Sequence, residues 1–257
     1  MGQSSGHTQR VLAITLLFSL VMWNLPFGGF LLYPFKLLAT WLHELSHGIV
    51  MMTIGVGFKH MLIYQDTSGL AYANSAATAP GLTIIAAAGY MGTPVFGGTL
   101  LILGQTVRGT RIALLGLATL LLIPALFYVG NQFGQAVGLL GSIIFLLLAV
   151  FSGTKVSGYV ANFVAAQSCI NAVLDIRTLF RSNLSVNNGS QQIASDAHNM
   201  AEATGIGVPA LWAVIWLAWS FLVFYVALRL LYLRQRRKET PPMPATQSQS
   251  NQETGTP

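Results

Sequence analysis

Apolar runs of membrane-spanning length alternate along this chain with short polar or glycine-containing breaks. VLAITLLFSLVMW, residues 11–23, is bounded by NLPFGG, and a second run follows over about 34–54. Further runs occupy about 80–104, 111–129, 135–151, 159–180 and 208–233. Each approaches the roughly 20 residues that a helix needs to cross a bilayer core. Between the second and third, FKHMLIYQDTSGLAYANSA places β-branched and aromatic residues on either side of DTSG, which predicts a short hairpin. SDAHNMAEATG predicts a short helix entered through Ser195 or Asp196 and ended by Gly205, inside an otherwise polar loop over 181–207. The pattern therefore predicts an all-α polytopic membrane protein with six or seven transmembrane helices and a β-hairpin between the second and third. Its parts are a polar N-terminus (1–10), a membrane-embedded body (11–233), and a basic junction with a disordered polar tail (234–257).

Composition agrees: 53% of the 257 residues are hydrophobic and 8% charged, with a mean hydropathy of +0.61. A soluble domain carries about 25% charged residues. The net charge of +6 does not point to nucleic acid, because five of the thirteen basic residues lie between Arg229 and Lys238, at the end of the last apolar run. That cluster predicts a cytoplasmic C-terminal tail. With seven spans, Lys36, Arg108, Arg111 and Lys155 then fall on the cytoplasmic side too. The lone Cys169 allows no internal disulfide. The glycines of GYMGTPVFGG predict close helix packing.

One apolar run carries chemistry. TWLHELSHGIV contains H-E-x-x-H at His43, Glu44 and His47. Positions i and i+4 lie about 40° apart on one helical face, so both imidazoles can reach one ion, for which Zn2+ is the expectation. Glu44 is then the expected catalytic base toward water. A glutamate deep in a bilayer costs on the order of 2–3 kcal/mol, which marks it as functional. A catalytic zinc usually takes a third protein ligand from elsewhere. Among the aspartates Asp175 is preferred, since it alone stands in an apolar helical context and a buried carboxylate needs a cationic partner, with Asp196 the alternative.

HELSHG in an early span, together with a late span ending in Leu174 and Asp175, resembles the site-2-protease family of intramembrane zinc metallopeptidases. Its members carry a later N-x-x-P-x-x-x-L-D-G helix whose aspartate is the third ligand. Here QSCINAVLDI has Gln167 in place of Asn, Ile170 of Pro and Ile176 of Gly. AAGYMGTPVFGG, NAVLDI and SDAHNMAE are similar to a divergent branch of the family over roughly 33–225. The resemblance implies a metal role for Asp175, keeps Asp196 open, and makes Gln167 and Asn171 candidate substrate contacts. It also implies that residues 58–76 pair with an extended substrate. The expected function is zinc-dependent cleavage of a membrane-protein substrate within the lipid bilayer. The alternative is a catalytically inactive scaffold, chaperone or metal-binding protein, which the altered second motif suggests.

Overall fold

A computed structural model describes residues 14, 15, 17–19, 21, 22, 24–176, 179, 183–186, 189 and 191–239. The polar N-terminus and the tail beyond Glu239 lie outside the described residues. The described positions between Ile14 and Asn24 are helical. After them come α1 (Gly28–Thr53), β1 (Phe58–Ile63), β2 (Gly69–Ala73), α2 (Ala79–Leu103), α3 (Val107–Phe127), α4 (Gln132–Phe151) and α5 (Thr154–Asp175). The chain then forms β3 (Asn183–Val186), β4 (Gln191–Ala194), α6 (Asp196–Thr204) and α7 (Pro209–Glu239). The basic junction at 234–239 continues α7 as helix.

Four helices, α2, α3, α4 and α7 as far as Arg234, are long and apolar enough to cross a membrane. On α4, Leu140, Ile143, Ile144, Leu147 and Phe151 point outward, a surface suited to lipid rather than water.

Small residues set the packing. α2 lies against α1, α5, α6 and α7, and its glycines stand at three of these contacts. A methyl at Gly97 would press on the Cys169 sulfur of α5 at 2.8 Å, and one at Gly98 would reach Val223 of α7 at 3.2 Å. Gly92 stands closer still to Ser46 of α1. The expected close packing is what these glycines provide. Local caps set the helix starts: the side chains of Thr78 and Thr106 accept hydrogen bonds from the Gly81 and Gly109 amides.

α1 runs obliquely. Asn171 of α5 donates to the Phe35 carbonyl, the Trp41 indole donates to Leu120 of α3, and His47 meets the Ile85 carbonyl of α2. These three partners lie on three helices, each in the half nearer Asp175, Phe127 or Ala79, which are ends on one side of the bundle. These bonds draw α1 toward that side of the bundle, while Phe35 also meets Phe163 and Ser46 faces Gly92 close to the middle of α5 and α2. This corrects the expectation for Lys36: its charge reaches Asp175, at the far end of α5 from Lys155.

The predicted hairpin is present, with Leu62 opposite Leu70 and Met61 opposite Ala71. Its other edge makes one bridge, from Met61 to Val129. In its turn, Thr67 adopts φ 67°, strained for a β-branched residue, and its carbonyl accepts from Thr40 Oγ1 at 2.6 Å. A second antiparallel pair, β3 with β4, stands where the sequence suggested only a polar loop.

Candidate metal centre

His43 and His47 lie one turn apart on α1. The His47 ring is fixed from outside, because its Nδ1 is 2.7 Å from the Ile85 carbonyl oxygen. A carbonyl only accepts, so Nδ1 carries the hydrogen and Nε2 of a neutral ring presents its lone pair. His43 is held by packing. Gly89 of α2 leaves room for its ring, which meets Tyr90 edge-on with centroids 4.7 Å apart, and Tyr90 stacks on Trp216 of α7 at 5.2 Å.

The third group arrives from a distant segment. Ser195 caps α6, its hydroxyl accepting from the His198 amide at 3.2 Å, and Asp196 is the first helical residue. Ala197 and Met200 bury the helix against Ala86 and Tyr90 of α2 and Trp216 of α7. Asp196 Oδ2 thereby lies 3.1 Å from His43 Nε2 and 3.4 Å from His47 Nε2, and the two Nε2 atoms are 3.1 Å apart. Burial alone would raise the Asp196 carboxyl, but the two imidazoles, by charge and hydrogen bond, hold it well below the usual carboxylate range.

The donor set suits a cation. Without an ion, a protonated His47 can pair with the Asp196 carboxylate; with both rings neutral and the His47 Nδ1–H committed to Ile85, the Nε2 atoms and Asp196 Oδ2 offer three acceptor positions facing one point. A divalent ion satisfies all three. Ligands of a tetrahedral zinc at about 2.0–2.1 Å stand roughly 3.3–3.4 Å from one another, close to the separations here. Among the described residues, this is the group of His, Cys, Asp and Glu side chains that can hold a metal.

Glu44 is 6% exposed and faces the hairpin. A Cβ on Gly69 would fall 2.7 Å from Glu44 Cγ and 2.8 Å from its Oε1, so a side chain there would displace either β2 or the carboxylate. Gly89, Tyr90 and Gly69 are site residues that sequence reasoning passed over, and Ser195 was read there only as a helix cap. The glycines gave a signal, in GYMG and DTSG, without showing what they would make room for.

At the third position the carboxylate that meets the two imidazoles is that of Asp196. Asp175 closes α5, where the charges of His43 and Lys36 reach it, but it is not part of the converging group. The physical reason is that α6 is anchored on α2 and α7 and delivers Asp196 between the imidazoles. Gln167 and Asn171 are buried. The Gln167 amide nitrogen meets Ser19 Oγ at 2.6 Å, and that of Asn171 donates to Phe35, so both donors already hold neighbouring segments. His60 stacks on Tyr72 and His198 faces Glu202, each outside the metal group.

The fold and site together define a class: a mostly helical chain with four helices long and apolar enough to cross a membrane, and an H-E-x-x-H helix whose imidazoles meet a distant carboxylate. Within that class, the chain belongs to the Peptidase M50B-like family, whose sequence model matches residues 11–227, and so to the site-2-protease group. No curated protein and no solved structure matches it.

Proposed function

We propose that the chain is an intramembrane zinc metalloendopeptidase that hydrolyses a peptide bond in or near a membrane-spanning segment of another protein. The observation that carries this reading is the convergence of His43 Nε2, His47 Nε2 and Asp196 Oδ2 beside a buried glutamate. His43, His47 and Asp196 would hold the ion. Zinc, when bound there, would supply Lewis-acid polarisation of the scissile carbonyl and a water acid enough to ionise near neutral pH.

The remaining roles belong to the chain. Glu44 takes a proton from the attacking water and returns it to the nitrogen that leaves as the peptide bond breaks. Its burial keeps the carboxylate away from bulk water, and Gly69 lets β2 pass directly over it. β1 is bridged to Val129 on its far side, so among the described residues it is the outer edge of β2 that pairs with no further strand. An extended peptide added along β2 would lie across Glu44 with its carbonyls exposed, as hydrolysis requires and a helical substrate would not allow. The Thr40–Thr67 bond and the Tyr33 hydroxyl, which donates to the Gln65 carbonyl at 2.7 Å, hold the turn of this hairpin to α1.

The test uses the purified full-length chain with membrane-protein segments in proteoliposomes. The wild-type protein should contain one zinc, generate new peptide termini, and lose activity to a chelator and regain it with zinc. Glu44→Gln should retain zinc and lose about 100-fold or more in rate. Cleavage by Glu44→Gln at the wild-type rate would sink the proteolytic reading and favour the non-catalytic alternative.

A further inference from the structure

The β1–β2 hairpin is fastened along one edge by the connection between α3 and α4. The Met61 amide donates to the Tyr128 carbonyl at 2.7 Å, and the Gly130 amide donates to the Met61 carbonyl at 2.9 Å. Two residues further along β1, the same edge is closed by a side chain. The Ile63 amide donates to Asn131 Oδ1 at 3.1 Å, and Asn131 Nδ2 donates to the Ile63 carbonyl at 2.6 Å. One carboxamide therefore takes both backbone groups of a strand residue, as a neighbouring strand would.

Asn131 stands where a different use is expected. It is the residue before α4, with φ −129° and ψ 147°. An asparagine at such a place ordinarily turns its side-chain oxygen onto a free amide of its own helix. Here the start of α4 receives no side-chain bond from it, and the carboxamide is given to β1 instead. The space around it is closed as well, since a methyl on Gly134 would fall 2.7 Å from Asn131 Oδ1 and 3.2 Å from Ile63 Cβ. At the start of β1, Phe58 stacks on Tyr128 with centroids 4.8 Å apart.

Strand geometry carries this attachment to the site. Ile63 lies opposite Gly69, and Met61 opposite Ala71. In an antiparallel pair, a residue that turns its N–H and C=O away from the partner strand faces a residue that does the same. Gly69 and Ala71 thus direct their backbone groups to the outer edge of β2. Gly69 is also the residue that leaves room for Glu44, whose Oε1 a Cβ there would meet at 2.8 Å. Asn131, Ile63, Gly69 and Glu44 form one series across the hairpin. The same two helices brace the other side of the series: Trp41, on α1 with Glu44, donates to Leu120 of α3 and abuts Gly138 of α4.

We infer that Asn131 is a positioning residue that selects the bond to be cleaved. It fixes where Gly69 and Ala71 stand over Glu44, and so which bond of an extended peptide paired with β2 meets the carboxylate. Bond selection rests on the peptidase reading above, whereas the hold of Asn131 on the hairpin does not.

Asn131→Asp and Asn131→Ser test it in the full-length protein. Both residues start helices as well as asparagine does, so α4 keeps its entry. Neither keeps both bonds, because Asp sets an acceptor against the Ile63 carbonyl and Ser offers one atom where two are needed. Hydrogen exchange followed by mass spectrometry should show residues 58–73 exchanging about tenfold faster in both variants, with the first turn of α4 unchanged and zinc retained. Wild-type exchange across the hairpin would overturn the inference. In proteoliposomes both variants should lose about tenfold or more in kcat and cut at additional bonds, identified by product masses. Cleavage confined to the wild-type bond would overturn it too. Gln135→Ala is the control, since it removes a bond from α4 to Ala125 of α3 and touches neither strand; the same loss of bond selection there would remove the assignment to Asn131. Wild-type protein that binds zinc and cleaves nothing would defeat the peptidase reading and bond selection with it, while the exchange result would still decide whether Asn131 holds the hairpin.

Discussion

Gly89→Ala adds one methyl to α2 and should empty the metal site without altering any ligand. The methyl would fall 2.3 Å from both Cε1 and Nε2 of His43 and 2.6 Å from Cδ2, whereas ordinary contact begins at 3.4 Å, so the ring must retreat by about 1.1 Å. That is about half a zinc–nitrogen bond. Overpacking at such a contact costs typically 1–3 kcal/mol, and relief by moving the ring takes its Nε2 away from His47 and Asp196. Loss of an outer-shell partner alone lowers metal affinity by about 10–100-fold, so displacement of a ligand should cost at least about 100-fold. The assay is zinc competition against a chelator of known affinity, with bound metal measured by mass spectrometry. Gly116→Ala is the first control, since its methyl meets nothing within 4 Å. Gly92→Ala is the second, overpacking the same pair of helices through Ser46 rather than a ligand. Folded Gly89→Ala protein that binds zinc within about twofold of wild type would refute the reasoning.

Removing the cap of α6 with Ser195→Ala should lower stability by about 1 kcal/mol and weaken zinc binding several-fold, and Ser195→Asp should restore both in thermal unfolding and metal competition. Thr40→Val deletes the bond that holds the strained Thr67 turn on α1. It should raise KM for an extended substrate while leaving zinc content unchanged, and lost zinc would contradict a role confined to the hairpin. Gly69→Ala should lower kcat with zinc retained, since its methyl collides with Glu44 and leaves both imidazoles untouched; the check is single-turnover cleavage beside metal analysis.

Much of this arrangement was legible in the chain because helical geometry is local. The i, i+4 spacing places His43 and His47 on one face wherever α1 goes, and SDAHNMAEATG spells out a cap at Ser195 and a left-handed stop at Gly205 in its own residues. The hairpin was readable from DTSG for the same reason. What could not be read depends on contacts between distant segments. An apolar helix surrounds Asp175 and drew attention to it, whereas Asp196 meets the imidazoles because of how Ala197 and Met200 seat α6 against Ala86, Tyr90 and Trp216. The oblique course of α1, which puts Lys36 near Asp175, follows from bonds to three different helices that no local pattern announces. β3 and β4 are short strands paired with each other, within a loop whose polarity hid their alternation.

The most direct measurement of the account is the zinc content of purified full-length protein carrying Asp196→Ala or Asp175→Asn, with X-ray absorption at the zinc edge on the wild type. The expected result is loss of zinc from Asp196→Ala and retention by Asp175→Asn, with two imidazole nitrogens and a carboxylate oxygen at about 2.0–2.1 Å from the ion. Full zinc in Asp196→Ala, with loss from Asp175→Asn, would contradict it.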